Sequence, residues 1–279
     1  MVLEAIISPF KAEKKPWETF IIGFLYSAIA IGISLWIFQE QASLISVFLI
    51  SIAAIPLVYS TFKMEETKDV LMDSEKGILK EHSKAIIFLL FLFSGIVLAY
   101  VIAYLFLPKG LIENLFSLQY STITSINSNV HSGTALFAKI FLNNMKVLTF
   151  CIVFSLFYGA GAIFILAWNG SIIAAAMGNF IRENLSAYAG FLGLGEASVY
   201  LHTFSISLLR YSIHGIPEIG AYFIASLAGG ILSVAVVRND FRTKRFEKIL
   251  FDVSNLLLIS ILVLLFAALL ESYVILAIF

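Results

Sequence analysis

The sequence predicts an all-α protein: a polytopic transmembrane helix bundle of about seven spans (six to seven), with the N-terminus in the cytoplasm. The first observation is composition, because 60% of the 279 residues are hydrophobic and only 13% are charged, whereas soluble domains carry about 25% charged residues. The second is placement, since segments 1–19, 63–84 and 238–252 hold 25 of the 36 charged residues. The third is that the stretches between them are long enough for helices of about 20 residues that cross a bilayer.

The predicted spans follow the apolar segments in chain order. They lie at 17–38, 42–62, 85–107, 140–167, 213–237 and 253–279. Because cationic loops resist export across a membrane, the three charged segments are predicted to be cytoplasmic. Residues 108–138 carry few charges and are then predicted to form an external segment.

A broken or re-entrant helix is predicted around 170–210. An odd number of crossings must fit here, because the preceding span ends inside and the following span begins outside. Asn169-Gly170 is typical of a helix end followed by a turn, and it is predicted to be the helix break. The stretch 184–212 is long enough for a span but contains several glycines.

The chain divides into two predicted regions. Residues 1–84 form a two-span segment with a charged cytoplasmic loop at 63–84, which has the composition of a short helix or hairpin. Residues 85–279 form the larger transmembrane domain. Cys151 is the only cysteine, so an intrachain disulfide is excluded. Because the net charge is +0, nucleic acid is not expected as a partner, whereas the lipid bilayer is.

A polar cluster is predicted in the outer half of the bundle. Its members are Asn143, Asn144, His214, Glu218 and Glu271. Ionisable groups inside a bilayer are costly unless they are paired, so their presence there is itself a functional signal. His214 and Glu218 are four residues apart and share one helix face. Counting the helical rise from the span ends places the asparagines and both glutamates at similar depths.

Three roles stay open for this cluster. A hydrogen-bonded cluster that holds the spans together is favoured. One His and two Glu are a known zinc ligand set, so His214, Glu218 and Glu271 are also a candidate metal site. An ion or proton pathway is the third role. No cofactor is expected in the favoured case, and zinc or another divalent metal would be required in the second.

Small residues predict helix-packing faces. Gly159 and Gly161 lie in the fourth span, and Ala225, Gly229 and Gly230 lie in the span at 213–237. Small residues let helix backbones approach closely in a membrane. Packing within the bundle is favoured, and a homodimer contact is the alternative.

Together these features resemble the stage II sporulation protein M family, over roughly residues 85–279. The resemblance rests on Asn143-Asn144, Gly159 and Gly161, Asn169-Gly170, His214-Gly215-x-x-Glu218, Ala228-Gly229-Gly230 and Glu271-Ser272-Tyr273, in the same order and spacing. It departs at Ser272, where members often have Ala. The resemblance implies a multi-pass inner-membrane protein that, in endospore-forming bacteria, is needed for engulfment and acts as a scaffold for peptidoglycan-degrading partners. Members also occur in archaea and in bacteria that do not sporulate.

The predicted function is therefore an integral membrane scaffold or assembly factor of this type, which is not an enzyme. Its expected location is the cell membrane, and its expected partners are membrane or cell-envelope proteins. The alternatives are a membrane-embedded metal-dependent hydrolase and a small-solute or ion transporter, each using His214, Glu218 and Glu271.

Overall fold

The computed structural model describes residues 7–71, 75–127, 133–158, 162–192, 196–238 and 243–278. These residues form helices joined by short connections, with no β-strand among them. Seven helices within the described ranges are long and apolar enough to cross a membrane. The predicted all-α polytopic bundle of about seven spans is confirmed.

The elements follow one another along the chain without a long irregular segment in the described ranges. They are α1 (Pro9–Lys14), α2 (Pro16–Ile37), a 3₁₀ turn (Gln39–Gln41), α3 (Ala42–Leu71), α4 (Glu75–Phe106), α5 (Lys109–Asn127), α6 (Gly133–Tyr158), α7 (Ala162–Leu192), α8 (Glu196–Val237), α9 (Lys244–Leu269), a π-helical segment (Leu270–Ile275) and α10 (Leu276–Ile278). The seven candidate spans are α2, α3, α4, α6, α7, α8 and α9, the last continued by the π-helical segment.

Helices α2 and α4 cross at close range, and each helix has a glycine at the contact. A Cβ at Gly23 would lie 2.1 Å from the Leu92 carbonyl oxygen, and one at Gly95 would lie 2.0 Å from the Phe20 carbonyl oxygen. Thr19 strengthens this crossing by donating its hydroxyl to the carbonyl of Phe88 at 2.8 Å. The two helices therefore touch backbone to backbone, as small residues permit in membranes.

The charged connection 63–84 is mostly helical. Helix α3 continues to Leu71 and α4 begins at Glu75, so the described part of the connection belongs to the ends of two long helices rather than to a separate short helix. Lys and Glu are good helix formers, and pairs such as Lys68–Glu65, three residues apart, support the helix.

The predicted external segment contains α5, which packs against α3 and α7. Its buried face includes Leu115, Phe116 and Gln119. The Gln119 amide joins three helices, since its oxygen accepts from Ser43 at 2.7 Å and its nitrogen donates to Ser171 at 2.8 Å. This helix is thus part of the folded bundle.

The prediction of a helix break at Asn169-Gly170 is wrong, because α7 runs through both residues. Asn169 donates its side-chain amide to the carbonyl of Ile165 at 2.8 Å, so its polar group is satisfied within the helix. Gly170 provides space for α4, since a Cβ there would lie 3.0 Å from the Phe93 ring. Tertiary packing overrides the local turn preference. Helix α7 ends at Leu192 and α8 begins at Glu196, both inside the predicted region 170–210.

Helix α8 is the central element of the bundle, and it contacts α3, α4, α6, α7 and α9. It is one helix of 42 residues, and Pro217 lies inside it. The predicted span start near residue 213 is therefore a position within a longer helix. Proline is tolerated in membrane helices because neighbouring groups satisfy the freed carbonyl. Glu218, the next residue, consequently projects from the interior of a span.

Candidate functional site

Three of the five predicted cluster residues, which come from three different elements, lie near one another. Asn144 of α6 is 6% exposed, and its amide nitrogen makes no hydrogen bond with the described residues. Asn144 and Glu271 of the π-helical segment both lie near the carboxylate of Glu218 on α8. The Tyr222 hydroxyl donates to Glu218 Oε1 at 2.9 Å. The polar cluster of Asn144, Glu218, Tyr222 and Glu271 therefore lies where α6, α8 and the end of α9 meet.

Tyr222 is the member that the sequence prediction missed. It lies four residues after Glu218, so both side chains share one face of α8, and the same spacing that suggested His214 would have identified it. One turn further on, the Ser226 hydroxyl donates to the carbonyl of Tyr222 at 2.7 Å. Cys151 of α6 lies beside Ser226. Polar groups thus follow the α6–α8 contact for two turns beyond Glu218.

Asn143 and His214 lie outside this cluster. Asn143 is exposed on α6, because adjacent residues of a helix differ by about 100° in direction and only one of the asparagine pair faces inward. The His214 ring lies beside Tyr211, with centroids 6.4 Å apart, and the Tyr211 hydroxyl donates to the carbonyl of Ala176 on α7 at 3.3 Å. His214 therefore lies beside a residue that contacts α7.

The predicted ligand set of His214, Glu218 and Glu271 is not assembled as a metal centre. Among the residues that the structure describes, no three His, Cys, Asp or Glu side chains are placed to hold a metal ion. The cluster instead combines two carboxyl groups with an amide and a phenol, which are groups that form hydrogen bonds with one another.

The predicted packing residues of α8 face neighbouring helices of the same chain. A Cβ at Gly229 would lie 2.8 Å from the Ile152 carbonyl oxygen of α6, and one at Gly230 would lie 2.2 Å from the Phe62 ring of α3. Ala225 is fully buried. Gly159 and Gly161 lie outside the described residues.

A second polar site lies at the other end of the bundle and was not predicted as a site. Glu66 of α3 has a fully buried side chain, and both of its oxygens accept from Arg238 Nη1, at 2.8 and 2.6 Å. Arg245 Nη2, at the start of α9, donates to Glu66 Oε1 at 2.7 Å. Charge-assisted hydrogen bonds of this length are strong. One carboxylate therefore connects α3 to Arg238, which follows α8, and to Arg245 of α9.

The neighbouring residue, Glu65, connects α3 to two further elements, to α4 directly and to α1 through Lys68. Its carboxylate contacts His82 Nδ1 of α4 at 2.6 Å and accepts from Lys68 Nζ at 2.7 Å. Lys68 also donates to Glu13 of α1 at 2.6 Å. Burial raises the pKa of Glu13 above its usual value, and this effect outweighs the lowering by Lys68. We call the groups around Glu65 and Glu66 the ionic network.

The ionic network shows that the three charge-rich segments lie at one end of the bundle. Glu13 belongs to the first segment, Glu65 and Glu66 to the second, and Arg238 and Arg245 to the third. This shared end is what the charge pattern predicted, and its cytoplasmic location stays a prediction from the positive-inside rule. Glu65 and Glu66 are adjacent in the sequence, and this acidic pair could have indicated the site. A solvent-exposed helix face gives the same pattern, so the pair alone does not predict burial.

The fold defines a class: a polytopic helical membrane protein, with seven candidate spans in the described ranges. The family described as Stage II sporulation protein M matches residues 85–274. The chain therefore belongs to the stage II sporulation protein M family, as the resemblance implied. A search of curated proteins finds no match, and neither does a search of solved structures. The matched region contains the whole polar cluster, whereas Glu65 and Glu66 lie before it.

Proposed function

We propose that this protein is a non-enzymatic membrane scaffold that holds cell-envelope proteins at the cell membrane. The observation that carries the proposal is the polar cluster, in which Asn144, Glu218, Tyr222 and Glu271 lie near one another where α6, α8 and the end of α9 meet, inside the family-matched region. In lipid, hydrogen bonds and close packing hold helices together. A rigid C-terminal half gives partners a fixed surface on which to assemble.

The partners fall in the class that the family resemblance implies, namely proteins that degrade or remodel peptidoglycan. Membership in the stage II sporulation protein M family supports this class. Exposed apolar side chains such as Trp36 and Leu142, at 81% and 60% exposure, are available on the outer surfaces of the spans to lipid or to a partner helix.

The proposal is tested in the organism that encodes the chain, by crosslinking intact cells and purifying the tagged protein. Peptidoglycan hydrolases or their membrane anchors should be recovered with the wild type. They should be lost with Glu218→Ala, which leaves the Tyr222 hydroxyl without its acceptor. Ser254→Ala, an exposed position on α9, is the matched control and should recover the partners normally. Normal recovery with a folded Glu218→Ala variant would contradict the role of the cluster, and recovery of no envelope protein with the wild type would contradict the scaffold.

One observation favours a second candidate, a proton or cation pathway. Glu218 and Glu271 are two carboxyl groups on different elements that approach each other inside the membrane-spanning region, and such groups mark ion routes in many transporters. Proteoliposomes containing the wild type should then show proton or sodium flux that Glu218→Gln abolishes. Flux that is unchanged in Glu218→Gln would rule this candidate out.

A further inference from the structure

A cavity of about 540 Å³ lies between α4, α7 and α8, and Phe20 of α2 contributes to one side. Its polar lining residues are Ser94, Tyr211 and Ser212, and all other side chains in its wall are apolar. The volume is within the range of about 300–1,000 Å³ that is typical of small-molecule sites. The polar cluster does not line it, so this cavity is a separate feature of the bundle.

The cavity opens towards the bilayer. All four helices that line it are candidate membrane spans. Phe91, Leu208 and Ile216 line the cavity and are exposed by 41%, 47% and 59%, so its opening faces sideways, between the exposed surfaces of α4 and α8. At this depth the surrounding medium is hydrocarbon. An apolar chain that enters from the bilayer fits both the walls and the opening.

An arginine lies just beyond the end of the cavity that is remote from the ionic network. Val101 is the last lining residue of α4, and Tyr104 follows one helical turn later. The Arg182 guanidinium lies 5.4 Å from the centre of the Tyr104 ring. Its Nη2 donates to the carbonyl of Leu105 at 3.1 Å, and the residue is exposed.

The position of Arg182 suits a phosphate group. Because α4 ends at Phe106, this arginine lies at the level where a membrane meets its headgroups. A guanidinium carries five N–H donors, so contacts through Nη2 leave donors for an anion. Arginine is the residue that best matches phosphate geometry.

We propose that this cavity binds one phospholipid, with an acyl chain between α4, α7 and α8 and the headgroup phosphate against Arg182. Basic positions at the ends of membrane helices recognise anionic headgroups in this manner. The apolar walls set the position of the chain, and the arginine sets its direction. A phospholipid with net negative charge, such as phosphatidylglycerol, is preferred over phosphatidylcholine, because choline opposes the approach of the guanidinium.

Gly215 supplies the first test, because it lines the cavity and a Cβ there would meet no atom within 4 Å. Leucine at this position projects into the cavity, and it also has a better helix propensity than glycine. Gly32→Leu is the matched control, since Gly32 on α2 has the same free space and does not line the cavity. Ser94→Leu fills the cavity from α4 and is the second variant if Gly215→Leu does not fold.

The experiment is native mass spectrometry of the full chain after delipidation and addition of phosphatidylglycerol or phosphatidylcholine. The wild type and Gly32→Leu should each retain one phosphatidylglycerol, and Gly215→Leu or Ser94→Leu should weaken this binding at least about tenfold. Arg182→Gln should remove the preference for phosphatidylglycerol. Arg210→Gln, which removes a positive charge from α8 instead, is the matched control and should keep the preference.

Either of two results would overturn the proposal. One is equal lipid retention by the wild type and both cavity-filling variants. The other is an unchanged lipid preference in Arg182→Gln. Neither result bears on the scaffold role, because that role is tested by the recovery of envelope partners with Glu218 variants.

Discussion

Replacing Glu66 by alanine should destabilise the protein strongly, although the residue lies far from the polar cluster. The side chain is fully buried, and its two oxygens accept three charge-assisted hydrogen bonds of 2.6 to 2.8 Å from Arg238 and Arg245. Glu66→Ala removes the only part of this set that α3 contributes. Two guanidinium groups are then left facing each other without the carboxylate between them.

The size of the effect follows from burial. Breaking a fully buried ion pair by removing one partner costs about 3–5 kcal/mol. Both arginine side chains are 35% exposed, so the freed guanidinium groups regain some hydration, and we expect about 2–3 kcal/mol. For a chain of this size such a loss lowers the melting temperature by roughly 4–12 °C.

The chain carries its own reporter for this measurement. Cys151 is the only cysteine and is fully buried, so a fluorogenic maleimide should react with it only as the bundle unfolds. The matched control is Glu113→Ala, which removes an exposed ion pair with Lys109 at 3.9 Å. Exposed pairs contribute about 0–1 kcal/mol, so the control should melt within about 2 °C of the wild type.

A double-mutant cycle decides whether the ion pair causes the loss. Arg238→Ala and Glu66→Ala should together cost clearly less than the sum of the single variants, because each removes the same interaction. A shift in melting temperature for Glu66→Ala no larger than that for Glu113→Ala, or additive effects of the single variants, would contradict this role of the ion pair.

Three further predictions concern packing, the polar cluster and topology. Gly95→Ala should lower the free energy of unfolding by at least about 3 kcal/mol, because its Cβ would lie 2.0 Å from a backbone oxygen of α2. Gly32→Ala, with free space around it, should melt like the wild type, and equal melting temperatures of the two variants would contradict the backbone contact. Tyr222→Phe removes one hydrogen bond to the cluster and should cost about 1–2 kcal/mol by the same thermal assay, and an unshifted melting temperature would show that this bond contributes nothing. In a cysteine-free background, Glu113→Cys should react with a membrane-impermeant maleimide in intact cells, and Lys80→Cys only after permeabilisation; the reverse pattern would invert the predicted topology.

The number of spans could be predicted because it depends on length. An apolar helix that crosses a bilayer has a fixed rise per residue, and seven such helices lie in the described ranges. The depth of Glu218 was counted from a span start at residue 213, but this position lies inside the 42-residue α8, so the shared depth of the cluster residues stays a prediction. The rotation of each helix about its own axis depends on its neighbours and could not be predicted. For this reason Asn143 and His214 lie outside the cluster.

Local turn preference and charge density were weaker guides. Asn169-Gly170 resembles a helix end, yet the ring of Phe93 occupies the space that glycine leaves and α7 continues. The charges of segment 63–84 suggested a solvated connection. Two of its glutamates are instead fully buried, because Arg238 and Arg245, far away in the sequence, donate to Glu66, and His82 of the same segment contacts Glu65.

The contacts of α3 show that the N-terminal segment completes the bundle. The family match begins at residue 85, which would suggest that residues 1–84 are an addition to a self-sufficient domain. However, the Phe62 ring of α3 occupies the space beside Gly230, and Glu66 of α3 forms ion pairs with Arg238 and Arg245. Removing α3 would leave a groove along α8 and two arginines without their carboxylate at the end of it. The matched region therefore depends on α3 for both packing and charge, and a chain of residues 85–279 alone should be less stable than the full chain by more than Glu66→Ala is.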